Sequence, residues 1–301
     1  MESIDLFYWD SSYNTILLVD LAICIALFTS LRLFSGAIAH INAWDELVNK
    51  DNPAFGISLA GVAFAVTLVL IGSIYGKPTN DLQDSAIAVG MYGILGIILM
   101  AITRLIFDKI ALPKISIRDE IAKKNIAAGI VDAGNVIATA IIIQAVTMWI
   151  EVNTLEGVTS LLTGYAVSQI LLTLATFARV RLFSLHNKGL SIQEVLKQGN
   201  TALALSFAGR RIGTAFAITA AANIMVYEIY EVKQMLLAWS GISLIMMGVL
   251  AILSFVADKV ILFKINIDDE IVNQHNIAVG ALQCVIYISL GMLLAQLIIY
   301  S

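Results

Sequence analysis

The chain has 301 residues and a net charge of −4; 59% of its residues are hydrophobic, 13% are charged, and its mean hydropathy is +0.88. A soluble domain averages about 45–50% apolar and about 25% charged residues, because polar groups must cover its surface. This composition excludes a water-soluble globular protein, and the three prolines and the low charge exclude a disordered chain.

Eight apolar runs have the roughly 20 residues that a helix needs to cross a bilayer. None alternates at period two, so helices are predicted and not the strands of a barrel. The first 14 residues contain no Lys or Arg, so we expect the first run to be a retained span and not a signal peptide. The predicted spans are residues 15–34, 54–75, 86–107, 126–149, 161–183, 201–226, 236–257 and 277–300.

Basic residues are divided unequally between the two sides of the predicted bundle. The side of the odd-to-even loops holds fourteen of them, whereas the other side holds only Lys77 and Lys233. Short cytoplasmic loops are enriched in Lys and Arg. We therefore expect the odd-to-even loops to be cytoplasmic and both termini to be outside. The fourteen residues are Arg32, Lys50, Arg104, Lys109, Lys114, Arg118, Lys123, Lys124, Arg179, Arg181, Lys188, Lys197, Lys259 and Lys264.

The four cytoplasmic loops share a sequence pattern. Each has Asn or Ser followed three residues later by an acid, and then Asn-x-Ala before the next span. The first members are 74, 75 and 75 residues apart, which predicts four tandem two-helix repeats. The pattern residues are Asn42, Asp45 and Asn52; Ser116, Asp119 and Asn125; Ser191, Glu194 and Asn200; and Asn266, Asp269 and Asn276.

Helix capping explains these residue types and their spacing. Asn or Ser followed three residues later by an acid predicts a short amphipathic cytoplasmic helix before each even span, with its apolar positions on the membrane surface. The Asn of Asn-x-Ala then caps the span, and Pro53 suits the first helical position after Asn52. In a second interpretation, the four polar loops form a ring around a pore or a partner.

Because each repeat contains two spans, successive repeats face the same way and are parallel rather than inverted. We expect two four-helix membrane units, residues 1–152 and 153–301, related by a pseudo-twofold axis along the membrane normal. The predicted fold class is an all-α integral membrane protein with eight transmembrane helices.

Two stretches carry a family resemblance: Asp119-Glu-Ile with Asn125-Ile-Ala-Ala-Gly, and Asp269-Glu-Ile with Asn276-Ile-Ala-Val-Gly. The chain resembles the YjfL-like bacterial inner-membrane proteins, domain-of-unknown-function family 350, as two four-helix units in tandem over nearly its whole length. The resemblance implies a bacterial inner-membrane protein. It implies no activity and supplies no catalytic residues.

Charged residues inside the spans are the strongest departures from the repeat. Arg210 and Arg211 follow Asn200 by ten and eleven residues, which places them roughly 15 Å deep at about 1.5 Å per residue. Asp132 lies about 10 Å deep from the same side, and Asp20 lies within the first span. A charge at the bilayer centre costs about 2.5–3.5 kcal/mol, so such residues usually face the bundle interior and pair.

We expect Asp132 to pair with Arg210 or Arg211, with Asn135 as a hydrogen-bond partner. The second arginine would then meet Asp20 or a hydrated cavity. In one interpretation these residues line a path for an ion, a proton or an anionic substrate in a channel or transporter. In the other they form a structural ion-pair network in a scaffold that binds lipids or a protein partner.

Catalysis is not expected. His40, His186 and His275 lie in separate loops without metal-ligand spacing, and no metal or other cofactor is predicted. Membrane lipids are the expected partners of the cytoplasmic basic residues. A cytosolic or membrane protein partner and a homo-oligomer are further alternatives, whereas nucleic acid is not expected.

Overall fold

The computed structural model describes residues 11–39, 42–76, 81–148, 155–223 and 232–297, and every regular element within these ranges is helical. Some predicted features lie outside the described residues: the first ten residues, His40, Lys77 and the side chains of Arg32 and Lys233.

Four segments of the chain share one order of elements: a long helix, a short helical turn and a second long helix. The first segment holds α1 (Ser11–Ala39), the π-helical turn Asp45–Asn49 and α2 (Pro53–Gly76). The second holds α3 (Leu82–Ile106), which continues as a π-helical turn (Phe107–Ala111), then α4 (Ile117–Ala122) and α5 (Ile126–Thr147). The third holds α6 (Leu155–His186), α7 (Ile192–Lys197) and α8 (Thr201–Asn223), and the fourth holds α9 (Val232–Ile261), the π-helical turn Asp269–Asn273 and α10 (Ile277–Leu297).

Among the described residues, six stretches are long and apolar enough to cross a membrane, which identifies a multi-pass membrane protein. The predicted count of eight is not reached by this measure. In α8 the charges of Arg210 and Arg211 reduce the apolar character, whereas for α1 only the apolar side chains of Asn14–Ser30 are described. The six stretches are Pro53–Ile74, Leu82–Ala111, Ile126–Thr147, Gly157–His186, Leu236–Ile261 and Ile277–Leu297.

An Asn side chain begins the second long helix of every segment. Its Oδ1 accepts a hydrogen bond from a backbone N–H two or three residues later, at 2.9–3.3 Å. This supplies an acceptor for an N–H that helix geometry leaves without an intrahelical partner. The four residues are Asn52, Asn125, Asn200 and Asn276.

The short turns begin less uniformly than the sequence pattern predicts. The side chains of Asn42, Ser116 and Asn266 each accept a hydrogen bond from the backbone N–H of the acid three residues later, at 3.3–3.4 Å. Ser191 makes no such side-chain bond, so its predicted capping role is wrong. There the backbone carbonyl of Ser191 accepts from the Glu194 N–H, which closes the turn without the hydroxyl.

The capping Asn side chains also join successive segments. In the first three segments, Nδ2 donates to a backbone carbonyl in the short turn of the following segment. The bonds run from Asn52 to Ile121 (2.9 Å), from Asn125 to Leu196 (3.0 Å) and from Asn200 to Ile271 (2.7 Å). Each Asn therefore fixes the start of its own helix and the position of its neighbour.

A second acid, absent from the predicted pattern, supports this arrangement. Nδ2 of the capping Asn also donates to Glu46, Glu120 or Glu270, the residue after the pattern acid, whereas the third segment has Val195 there. A hydrogen bond from Lys50, at 2.8 Å, holds the pKa of the Glu46 carboxyl below its ordinary value. The carboxylate is therefore charged at neutral pH and is a strong acceptor.

The second long helices pack closely, in the order α2, α5, α8, α10, through small residues. A Cβ added to Gly129 of α5 would lie 2.4 Å from the carbonyl oxygen of Ala54, and one added to Gly209 of α8 would lie 2.4 Å from Cα of Cys284. Such contacts let helix backbones approach closely where lipid provides no hydrophobic drive. Helix α5 is central, since 78% of its apolar stretch is buried within the protein, against 17% for α9.

The apolar side chains of the short turns pack into the protein, so the predicted position on the membrane surface is wrong for most of them. Ile121, Leu196 and Ile271 are 7%, 0% and 4% exposed. Each carries the carbonyl that receives the Asn bond from the preceding segment, and this bond draws the turn against its neighbour. Leu47 of the first segment, whose carbonyl receives no such Asn bond within the described residues, is 36% exposed.

We expect Gly129→Ala to destabilise the protein by about 1–3 kcal/mol, because the added methyl group would collide with the Ala54 backbone. Gly90→Ala in α3 is the matched control. Its Cβ would meet nothing within 4 Å, and alanine is up to about 1 kcal/mol better than glycine inside a helix. Thermal unfolding in detergent measures both variants. Equal shifts would show that close approach at Gly129 is unimportant.

Candidate functional site

Among the described residues, three groups of polar side chains around arginines lie between the helices. The first polar cluster consists of Ser58, Arg104 and Asp132. The second polar cluster consists of Arg179, Ser206, Arg210, Asp258, Gln283 and Tyr287. The arginine site, between them, consists of Arg211 with Asn135, Thr176 and the carbonyl of Leu172.

The first polar cluster is a closed ion pair. Arg104 of α3 donates through Nε to Oδ1 of Asp132 at 3.1 Å and through Nη2 to Oδ2. The hydroxyl of Ser58 on α2 donates to Oδ2 of Asp132 at 2.6 Å and accepts from Nη2 of Arg104 at 2.7 Å. The carboxyl of Asp132 is buried, whereas 37% of the Arg104 side chain is exposed. A fork-shaped pair with a third partner needs no further ligand.

The second polar cluster repeats part of this geometry on α8 and α10. Ser206 donates to Oε1 of Gln283 at 2.7 Å, as Ser58 does to Asp132. Both serines lie six residues after a capping Asn, and Asp132 and Gln283 both lie seven residues after one. The two helix crossings thus place equivalent residues together, but a neutral amide replaces the carboxylate in the second.

The carboxylate of the second polar cluster comes from α9. Oδ2 of Asp258 accepts from the hydroxyl of Tyr287 at 2.6 Å and from Nε2 of Gln283 at 3.1 Å. Nη2 of Arg210 lies 3.5 Å from the same oxygen and donates to the Tyr287 hydroxyl, and the guanidinium lies over the Tyr287 ring at 4.0 Å. Arg179 of α6 adds a second guanidinium, which donates to Ser206 at 3.2 Å.

The arginine site differs because, within the part of the chain that the structure describes, no carboxylate contacts its cation. Arg211 is 6% exposed and donates to Oδ1 of Asn135 at 2.9 Å, to Oγ1 of Thr176 at 2.6 Å and to the carbonyl oxygen of Leu172 at 3.3 Å. Its guanidinium lies 4.6 Å from the ring centre of Phe107, in cation–π contact. All of these partners are neutral.

The three places together hold more positive than negative charge. Four guanidiniums, of Arg104, Arg179, Arg210 and Arg211, meet the two carboxylates of Asp132 and Asp258, so four minus two leaves an excess of two positive charges. Within the described part of the chain, four buried polar atoms here also lack hydrogen-bond partners: Asn135 Nδ2, Arg179 Nη1, Arg210 Nε and Asp258 Oδ1.

The predicted pairing of Asp132 with Arg210 or Arg211 is wrong. Arg104 pairs with Asp132, because α3 packs against both α2 and α5 and places Arg104 at the same depth as Asp132. Asn135 does bind Arg211. Asp20 meets neither arginine; it is 2% exposed and accepts from the hydroxyl of Ser85 in α3 at 2.9 and 3.1 Å.

Three site residues were not predicted from the sequence, because each lies at or near the predicted cytoplasmic end of an odd-numbered span: Arg104, Arg179 and Asp258. A positional signal was present for two of them. Arg104 and Arg179 both lie twelve residues before the Ser that starts the following short turn. Such a shared position indicates a shared place in the fold, and both arginines do reach a serine of a second long helix.

The six apolar stretches of the described residues, each long enough to cross a membrane, identify a helical, multi-pass membrane protein. The family model described as Domain of Unknown Function (DUF350) matches residues 8–147 and 153–298. The chain therefore belongs to this family, with two tandem family regions, and the predicted resemblance is confirmed. No curated protein and no solved structure matches the chain.

We expect Asp132→Ala to destabilise the protein by about 3 kcal/mol, because it leaves the Arg104 guanidinium without its carboxylate; the value lies at the low end for buried pairs since Arg104 is partly exposed. The double variant Arg104→Met/Asp132→Leu should recover much of the loss. Asp268→Ala, at an exposed position, is the control. Unfolding midpoints in detergent give the comparison, and a neutral Asp132→Ala would contradict the pairing as a source of stability.

Proposed function

We propose that the protein is an eight-span bacterial inner-membrane protein that carries small anions across the membrane through the region of Arg210 and Arg211. In this proposal α1 and α8 are spans in addition to the six apolar stretches. Length supports this, since α8 has 23 residues and α1 has 29. The four segments are then parallel two-helix repeats, and the two halves are related by a pseudo-twofold axis along the membrane normal.

The observation that carries the proposal is the buried cation at Arg211. A guanidinium near the middle of a span is costly, and ionisable residues at such depth usually mark a pathway or have an opposite charge beside them. The neighbours of Arg211 are an amide, a hydroxyl, a carbonyl and an aromatic ring. An anion passing this point would provide the negative charge that the neighbours of Arg211 lack.

The neighbouring groups favour an anion over a cation. The excess of two positive charges would repel cations from this region. The Nδ2 group of Asn135, which is buried and has no acceptor among the described residues, is a further donor beside Arg211. Donors without acceptors suit a negatively charged or carbonyl-bearing ligand. Arg210 and Arg179 would extend the positive region towards the short turns.

A structural scaffold is the second candidate, and the first polar cluster favours it. Each polar group there has a partner within the cluster, so Arg104, Ser58 and Asp132 need no transported ion. This cluster would lock α3 against α2 and α5. In a pure scaffold the arginine site would have the same role, and the protein would act by binding lipids or a protein partner.

The proposed orientation places the short turns in the cytoplasm. Arg104 and Arg179 belong to the polar clusters and not to loops, so fourteen loop cations become twelve against two on the opposite side. The asymmetry still supports cytoplasmic short turns and termini that face outward.

Cysteine labelling tests this orientation. The exposed Gln83, beside the start of α3, and the exposed Lys114, beside α4, lie at opposite ends of the segment. In intact cells we expect a membrane-impermeant maleimide to label Gln83→Cys after the outer membrane is opened, and Lys114→Cys only after the inner membrane is permeabilised. The unmodified chain, with Cys24 and Cys284 inside helices, gives the background. The reverse labelling would invert the orientation.

Anion flux into proteoliposomes tests the transport proposal. The wild-type protein should accelerate quenching of an enclosed dye by chloride or iodide, without a matching potassium flux. Arg211→Gln should lower the rate about tenfold, the change that about 1.4 kcal/mol of lost charge stabilisation produces. Arg211→Lys should keep part of the rate because it keeps the charge.

Arg181→Gln is the matched control, since Arg181 is an exposed arginine on α6 and should leave the flux unchanged. Thermal unfolding of each variant separates loss of flux from loss of fold. Wild-type flux at the level of empty liposomes for all of these ions would refute the transport proposal and favour the scaffold.

A further inference from the structure

The contacts between successive segments use the same positions each time. The earlier segment contributes its Asn-x-Ala, which is the outgoing half of the contact. The later segment contributes the incoming half, which is the apolar residue of its short turn and a small residue four positions after its own capping Asn. The small residues are Gly129, Ala204 and Gly280, and all three are buried. A chain of four segments therefore has three such contacts and two ends at which half of a contact is present.

The fourth segment presents the outgoing half uncovered by any described residue. The Ala of Asn-x-Ala is 0% exposed at Ala54, Ala127 and Ala202, whereas Ala278 is exposed. Nδ2 of Asn276 bonds to Glu270, as Asn52 does to Glu46, but among the described residues it has no backbone carbonyl corresponding to Ile121.

The first segment presents the incoming half, also uncovered. Leu47 is 36% exposed, although the corresponding side chains in the other segments are at most 7% exposed. Gly56 occupies the position of Gly129 and Gly280. A Cβ added to Gly129 or Gly280 would lie 2.4 Å from the carbonyl oxygen of an Asn-x-Ala alanine, whereas one added to Gly56 would meet only its own neighbour Leu47, at 3.7 Å.

The first long helix shows the same gap. Helices α3, α6 and α9 each pack against the second long helix of their own segment and that of the preceding one. For α3 these are α2 and α5, for α6 they are α5 and α8, and for α9 they are α8 and α10. Helix α1 packs against α2 of its own segment and against α3, and within the described residues no other second long helix takes the place that a preceding segment would fill.

We propose that a second copy of this chain fills both gaps, with α10 of one copy packed against α2 of the next as α8 packs against α10 within a chain. Asn276 then donates to the Leu47 carbonyl of the neighbour, Ala278 packs on its Gly56, and its α1 rests against α10. The outgoing half complements the incoming half and not a second copy of itself, so the contact is head-to-tail. Copies joined in this way form a closed ring or an open row in the membrane plane.

Cysteine crosslinking in native membranes tests the geometry. In a background with Cys24 and Cys284 replaced by Ala, Gly56→Cys and Ala278→Cys are made on separate chains with different epitope tags and are coexpressed. Mild oxidation should give a disulfide-linked dimer that contains both tags, and neither variant alone should give a dimer. Dimers of Gly56→Cys with itself would overturn the head-to-tail contact, as would the absence of any mixed dimer.

The assembly state of the wild-type protein gives an independent measurement. Light scattering in mild detergent should show a species larger than one chain, and Ala278→Trp should reduce it to the monomer. The matched control is Ala166→Trp, at an exposed alanine on α6 of the third segment, which has a neighbouring segment on each side within the chain, and it should keep the larger species. A monomeric wild type would show that lipid alone covers these faces, and an unaffected assembly in Ala278→Trp would place the interface elsewhere; either result overturns the proposal.

Discussion

The architecture depends on the side-chain amide of the capping Asn, which forms hydrogen bonds through both its oxygen and its nitrogen. The oxygen of each capping Asn fixes the start of its own helix, and its nitrogen, in the first three segments, holds the short turn of the next segment. The amide is suited to this because it has acceptor and donor groups on opposite atoms. A carboxylate could cap the helix but could not donate to the neighbouring carbonyl, and a serine hydroxyl would have to span both distances from a single atom.

This constraint explains why the small residues lie where they do. Once the Asn bond fixes the short turn, the starts of neighbouring helices are held a few ångströms apart. Only residues such as Gly129 and Ala54 fit between backbones at that separation. The polar clusters then lie about one to three turns deeper, where the crossing helices remain close enough for Ser58 to reach Asp132. The capping bonds thus determine the depth at which charged groups meet.

Much of the scaffold could be predicted from sequence because it rests on local rules. Apolar runs indicate helices, and the capping role of Asn52 depends only on residues within the next turn. The pairing of charges could not be predicted in the same way, because it depends on which helix lies between which others. Asp132 and Arg211 have compatible depths, yet α3 brings Arg104 nearer. The second role of Asn52 was hidden for a similar reason, since its acceptor lies 69 residues away.

The separations spanned by the Asn bonds have a consequence for synthesis. The acceptor lies 69, 71 and 71 residues after the donor, so the bond from each Asn to the next segment cannot form until most of that segment has been made. A chain that is made from its amino terminus would therefore dock its segments one after another, in the order of translation. The bond from Asn52 to the second segment would form first, and the bond from Asn200 to the fourth segment would form last. The length of the repeat thus sets the delay between the synthesis of each Asn donor and the synthesis of its carbonyl acceptor.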